Sequence, residues 1–175
     1  MKRIILIMNI LSVCYLINAQ ALEKTYGNKF FSLNYPDNWE IVQEDNRATS
    51  NVNISVQVME KKVNNVDFLP NVNIIKSAQK RTETTSYLAT MTLNQIKNML
   101  PNMRIKGTND ITISGCKGTV AEYECTYNGY SLHFYQYIIK KADNNTFTIT
   151  CTIDNNKIKS QKRIIDAIVA SLKIK

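Results

Sequence analysis

Histidine is almost missing from this chain: 175 residues hold one, His133. Any Ser-His-Asp or Cys-His mechanism would have to use that residue. It sits in the middle of a strand-like run, with no nucleophile placed beside it by the local spacing. Gly-x-Ser-x-Gly, His-Glu-x-x-His and glycine-rich phosphate loops are also absent. One histidine and scattered carboxylates offer no zinc spacing. Asp143-Asn144-Asn145 and Asp154-Asn155-Asn156 carry oxygen ligands. Neither has the glycine and distal glutamate of a calcium loop, so both read as turn or cap chemistry. The expectation is no catalytic residue, no cofactor and no metal site. Repeats, low-complexity linkers and nucleic-acid motifs are lacking too. Past the first ~20 residues, no run is long and apolar enough for a membrane span.

The first residues say the most. Lys2 and Arg3 precede an apolar run from Ile4 to Ile17, and the run closes on Asn18-Ala19-Gln20-Ala21. A basic end, a short apolar stretch and small residues at the close describe a secretory signal peptide. Ala19-Gln20-Ala21 is an A-x-A match with cleavage after Ala21, and Ile17-Asn18-Ala19 is nearly as good with cleavage after Ala19. Leu11-Ser12-Val13-Cys14 is a weaker lipobox-like alternative, which would leave the protein anchored by lipid at Cys14. The expected organisation is a signal peptide over 1–21 and a single domain over 22–175. The expected location is the periplasm or cell envelope, with secretion or a Cys14-anchored lipoprotein as alternatives.

A mature chain of about 155 residues is long enough for one real core. Net charge is +8, or +6 without Lys2 and Arg3. The basic residues are mostly isolated pairs, and the densest group is Lys157, Lys159, Lys162 and Arg163. That group reads as a solvated face, or as a docking patch for an anionic partner or membrane surface. Four cysteines become three without Cys14, an odd number for an oxidising compartment. Cys116 and Cys125 have opposite parity in one strand. Cys125 and Cys151 fall two strands apart, ~9–10 Å, whereas a disulfide needs Cα atoms within ~7 Å. Three free thiols are expected.

Phe30–Tyr35 predicts a strand, Pro36-Asp37-Asn38 a turn, and Trp39–Gln43 a second strand. Asn51–Met59 alternates cleanly, with Val52, Ile54, Val56 and Val58 on one face. Asn71–Ile75 reads as a short edge strand in a weakly patterned stretch. A helix follows from Ser86 to Leu100, with Thr92 as an alternative start. Then comes a meander: Met103–Ser114, Lys117–Tyr127, Tyr130–Lys140 and Thr146–Ile153. Asn128-Gly129 predicts a type I′ hairpin, which sets Tyr127 opposite Tyr130, Cys125 opposite Leu132, Tyr123 opposite Phe134 and His133 opposite Glu124. The Tyr130–Lys140 strand is apolar on both sides and should be covered on both. A closing helix over Lys157–Leu172 buries Ile164, Ile165, Ile168, Val169 and Leu172. Lys157 and Lys159 have the wrong sign for its N-terminus, so packing must override them, or the helix starts near Ser160.

Phe31-Ser32-Leu33 running into Tyr35-Pro36-Asp37-Asn38-Trp39 resembles the opening of the PsbP-like and DcrB-like proteins. Asn71-Val72-Asn73-Ile74, Leu100-Pro101-Asn102, Gly115, the meander and the closing Ile168-Ser171-Leu172 helix are similar too. The resemblance covers nearly all of the mature chain. It implies an α+β fold, an antiparallel sheet flanked by helices as an α/β/α sandwich. It also implies a non-enzymatic protein that assists or stabilises a larger complex. No residue carries over to a cofactor role.

The expected function is thus an exported envelope protein that binds a protein partner. A carrier of a small apolar ligand and an exported immunity-type inhibitor are the alternatives. Tyr135 and Tyr137, with Lys157, Lys159, Lys162 and Arg163, are the candidate interaction surface. The partner is expected to be another envelope protein, not nucleic acid. N-terminal mass analysis of the mature protein should find Gln20 or Leu22 first, and a lipid-modified Cys14 would select the anchored form.

Overall fold

The computed structural model describes residues 21–45, 52–62, 68–77, 82–100, 102–142 and 145–175. Residues 1–20, on which the expected signal peptide and Cys14 fall, lie outside the described residues, as do Pro101 and Asp143-Asn144. Seven strands form one antiparallel sheet, in the spatial order β3-β4-β5-β9-β8-β7-β6. In chain order they are β3 Trp39–Asp45, β4 Val52–Glu60, β5 Asn71–Ser77, β6 Arg104–Ile113, β7 Cys116–Tyr127, β8 Tyr130–Lys140 and β9 Thr146–Asp154. A second sheet, not anticipated, joins β1 Lys24–Gly27, β2 Phe31–Tyr35 and β10 Lys173–Ile174 in the order β1-β2-β10. The expected first strand, β2, therefore pairs with both chain ends and not with the main sheet. β1 and β10 have four and two residues, too few for a periodicity to show.

Among the described residues the α-helices are α1 Thr85–Met99 and α2 Ile158–Ala170. Alternation along β8 sends its side chains to two separate cores. Tyr135, Tyr137 and Ile139 join the larger one, with Phe31, Leu33, Trp39, Val56, Val58, Val72, Ile74, Phe147, Ile149 and the α2 residues Ile165, Ile168 and Val169. Phe134 and Ile138 turn the other way, to Leu88, Ala89 and Leu93 of α1 and to Ala121, Tyr123 and Cys125 of β7. The main sheet is thus sandwiched, with α2 and the small sheet on one face and α1 on the other. α1 lies over β6, β7 and β8. Beyond it the same face continues in short polar side chains, among them Ser55, Gln57, Asn73, Thr148 and Thr150.

The meander registers agree with the expectation: Tyr127 faces Tyr130, Cys125 faces Leu132, Tyr123 faces Phe134 and Glu124 faces His133. Asn128 at φ 50° and Gly129 at φ 82° make the tight turn. The preceding hairpin turns on Ser114 and Gly115, both at positive φ, so β7 begins at Cys116, one residue before its expected start. Cys116, Cys125 and Cys151 are all free. Cys116 and Cys151 belong to the larger core and Cys125 to the smaller.

β5 and the closing helix depart from expectation, and α1 takes the longer of its two expected forms. β5 is an interior strand between β4 and β9, not an edge. Its core-facing row is Val72, Ile74 and Lys76, and the Lys76 ammonium lies 4.3 Å from the centre of the Phe30 ring. A lysine in that row hides the alternation from a hydropathy reading. α1 is capped by Thr84, whose Oγ1 accepts from the Tyr87 amide at 3.2 Å. Thr92, the alternative cap, instead donates back to the Leu88 carbonyl at 2.9 Å, inside the helix. The C-terminal helix starts one residue late. Asp154 caps a single 3₁₀ turn, Asn155–Lys157, and α2 follows from Ile158 without a side-chain cap. Gln161 holds that junction by accepting from the Asp154 amide at 2.8 Å. Packing of Ile165, Ile168 and Val169 does override the unfavourable lysines.

Gly118 lies inside β7, paired beside Ile139 of β8. A Cβ there would stand 2.6 Å from the Ile138 carbonyl oxygen, a backbone atom that cannot swing aside. Gly118→Ala should therefore lower the unfolding free energy by about 1–3 kcal/mol, through overpacking. Urea denaturation will read this as a lower midpoint at unchanged slope.

Candidate interaction surface

The start of α2 presents the basic group. Lys157, Lys159 and Arg163 are exposed, and Lys162 is half-buried. The first of these line a shallow recess with Asn155, Asn156, Ile158 and Ser160. Ser160 Oγ donates to the Lys157 carbonyl at 3.1 Å, which ties the first turn together. Lys162 is committed locally: its Nζ is 2.6 Å from Asp166 Oδ2 and 4.8 Å from the centre of the Tyr135 ring. Lys157 also lies close enough to Glu60 to favour that carboxylate. Burial nonetheless keeps Glu60 above its ordinary range. Asn38 Nδ2 donates to Glu60 Oε1 at 3.1 Å.

Tyr135 and Tyr137 do not join that surface. They are 6% and 8% exposed and lie in the larger core. Burial, reinforced by Glu122 and Asp166, pushes the Tyr135 phenol up to about 12. Tyr137 is raised by burial as well. Their alternate-face partners behave differently. Tyr127 is 53% exposed and Tyr130 36% exposed at the hairpin tip, and the Tyr130 ring lies 6.1 Å from that of Phe68. A strand apolar on both sides signals burial, so the position of Tyr135 and Tyr137 within such a strand argued against a surface role.

His133 is enclosed in a polar cluster. It is 3% exposed, its Nε2 is 2.8 Å from Glu122 Oε1, and its ring packs 4.8 Å from that of Tyr135. Glu124, its cross-strand partner, lies farther off. Glu124 Oε2 is 3.9 Å from Nδ1, which has no hydrogen-bond partner. Glu124 is held instead by Arg104 of β6, with Nε at 2.8 Å, and by Lys106 at 3.3 Å. The bonds from Arg104 hold the Glu124 carboxyl below its ordinary range, with Lys106 adding to the effect and burial opposing it. Both His133 nitrogens thus face carboxylates and no nucleophile. The nearest thiol in sequence, Cys125, belongs to the opposite face, and burial raises it. The His133–Glu122 contact is a diagonal pair, which a directly-opposite register does not reveal. Among the described residues, no group of three His, Cys, Asp or Glu gathers as metal ligands, and no helix is long and apolar enough to cross a membrane.

Residues 15–174 match the model of the PsbP-like protein family. The chain belongs to the PsbP-like family. Its fold is that of cyanobacterial PsbP from Synechocystis sp. PCC 6803, with a TM-score of 0.64 at 13% identity, over 94% of this chain and 99% of that one. LpqN of Mycobacterium tuberculosis, described as involved in cell envelope biogenesis, matches with a TM-score of 0.62 at 15% identity, over 86% and 90%. The Ran-binding protein Mog1p of Saccharomyces cerevisiae matches with 0.58 at 5% identity, over 86% and 94%. At these identities the likeness is one of fold. No curated protein matches the sequence.

A carboxylate held below its ordinary value stabilises the fold above that range. The contribution is lost as pH falls through the folded-state value. Glu124→Gln should therefore be less stable than the parent at pH 7. The gap should narrow as the pH is lowered to 3, read from paired urea titrations at the two pH values.

Proposed function

We propose that the mature chain is an exported, non-enzymatic protein of the cell envelope that works by binding another protein. The observation that carries this reading is the exposed basic group at the start of α2, Lys157, Lys159 and Arg163. Lys159 and Arg163 stand on α2, whose other face is packed into the core, and Lys157 ends the 3₁₀ turn just before it, so the charges are presented on a rigid segment. Scattered lysines would serve solubility equally well. Three on one rigid segment suit an acidic surface, where charge complementarity governs encounter and orientation more than raw affinity. The signal-like N-terminus supports an envelope location. PsbP-like family membership supports a binding role, as does the printed description of Mog1p as Ran-binding.

Crosslinking in intact cells followed by pull-down tests the reading. Recovery of no protein partner would count decisively against it. With a partner in hand, Lys157→Glu combined with Lys159→Glu should slow association by about tenfold at low salt. The difference should shrink as ionic strength rises and screening shortens to about 8 Å. An unchanged association rate would remove the basic group from the interface.

A further inference from the structure

The contacts of His133 leave one of its nitrogens buried and without a hydrogen bond. The ring is 3% exposed, and its Nε2 stands 2.8 Å from Glu122 Oε1. A carboxylate oxygen accepts, so Nε2 carries the hydrogen, and in a neutral ring Nδ1 is then a bare lone pair. Nδ1 has no hydrogen-bond partner and faces Glu124 Oε2 at 3.9 Å. Two acceptors meet there across a buried gap, and neither has a hydrogen to give. A buried polar atom left in that state is costly. One more proton on the ring removes the cost, because Nδ1–H then faces a carboxylate.

The charged and titratable groups around the ring come from four elements. β7 supplies Glu122 and Glu124. β6 supplies Arg104 and Lys106, and both hold Glu124. β8 supplies Tyr135, whose ring packs 4.8 Å from that of His133. α2 supplies Lys162 and Asp166, which pair with each other beside Tyr135. β9 sets the uncharged Ile153 opposite His133. Arg104 is fixed on Glu124 Oε1, with its Nε at 2.8 Å and its Nη2 also bound. Oε2 is the contested atom: Lys106 Nζ lies 3.3 Å from it and His133 Nδ1 3.9 Å. A small cavity bordered by Arg104, Ser131 and Asn155 adjoins Glu124, so the carboxylate has room to turn.

We propose that His133 is a proton-operated switch that passes Glu124 Oε2 between Lys106 of β6 and its own ring. With a neutral ring, Oε2 belongs to Lys106, and both cations of β6 tie that edge strand to β7. When the ring gains one proton at Nδ1, that nitrogen donates to Oε2, and Lys106 is released to solvent. One proton is taken up, and hydrogen bonds alone are exchanged. The Lys106 side chain is already 44% exposed, so its release needs no repacking. Arg104 stays on Oε1 and keeps β6 on the sheet. Histidine is the side chain whose charge ordinarily changes between about pH 5 and 8. The start of β6 is thus tied twice above the transition and once below it, where the freed ammonium also adds positive charge to the surface. The switch does not depend on the protein-binding reading above.

NMR of the mature protein, labelled with ¹⁵N and ¹³C and titrated between about pH 8 and 5, tests this. At the upper end Nε2 should resonate as N–H and Nδ1 as a bare nitrogen. At the lower end both should resonate as N–H. The Glu124 carboxylate carbon and the Lys106 side chain should shift through the same inflection. In Glu124→Gln the Lys106 response should be lost while Nδ1 still titrates. In Lys106→Gln the Glu124 carbon should still follow His133, which shows that the carboxylate itself moves. Four outcomes overturn the proposal. One is an Nδ1 already protonated at the upper end, and another is a ring unchanged across the range. The third is a Lys106 response that persists in Glu124→Gln. The last is loss of the β8 amide signals before Nδ1 changes, because the proton is then taken up by unfolding.

Discussion

Strand β8 carries apolar side chains on both faces, and the need to bury both rows sets the layers of the molecule. Tyr135, Tyr137 and Ile139 require cover on one side, Phe134 and Ile138 on the other. Full burial of one such side chain is worth about 1.5–3 kcal/mol. A single covering layer would forgo several of these. α1 supplies one layer, while α2 and the small sheet supply the other. The polar cluster around His133 runs from β8 across β7 to Arg104 and Lys106 of the edge strand β6.

The parts of the fold with strong local rules were readable from the residues alone. Asn128-Gly129 defined a hairpin register correct at every pair named, because a two-residue I′ turn leaves no freedom to slip. The buried stripe of α2 was equally plain in Ile165, Ile168 and Val169. Failures occurred where tertiary contacts outvoted local pattern. Lys76 broke the alternation of β5 yet lies 3% exposed. Thr92 had the sequence of a cap but sits in mid-helix. β1 and β10 exist only because β2 lies between them, and no window of sequence contains that relation.

The candidate site was half legible. Lys157, Lys159 and Arg163 are exposed as a solvated basic group should be, while Tyr135 and Tyr137 are core residues. Parity placed the two tyrosines together correctly but could not say which layer faces them. His133 shows the same limit in reverse. Its register partner is Glu124, but Arg104 and Lys106 hold that carboxylate, and His133 turns to the diagonal Glu122. Competition among Arg104, Lys106 and His133 for two carboxylates is settled by geometry from β6, a strand whose contribution to the cluster lies about 20–30 residues away in sequence.

The small sheet ties the beginning of the chain to its end. β10 pairs with β2 through Lys173–Ser32 and Ile174–Phe31, and Ser171 Oγ accepts from the Asn34 amide at 2.8 Å. The Lys175 amide donates to the Phe30 carbonyl at 2.8 Å. Asn34 and Ser171 stand 137 residues apart in sequence. Pairing over such a distance costs loop-closure entropy before its contacts repay it. The small sheet therefore holds only where Phe31 and Leu33 are seated in the larger core beside Ile168 and Leu172.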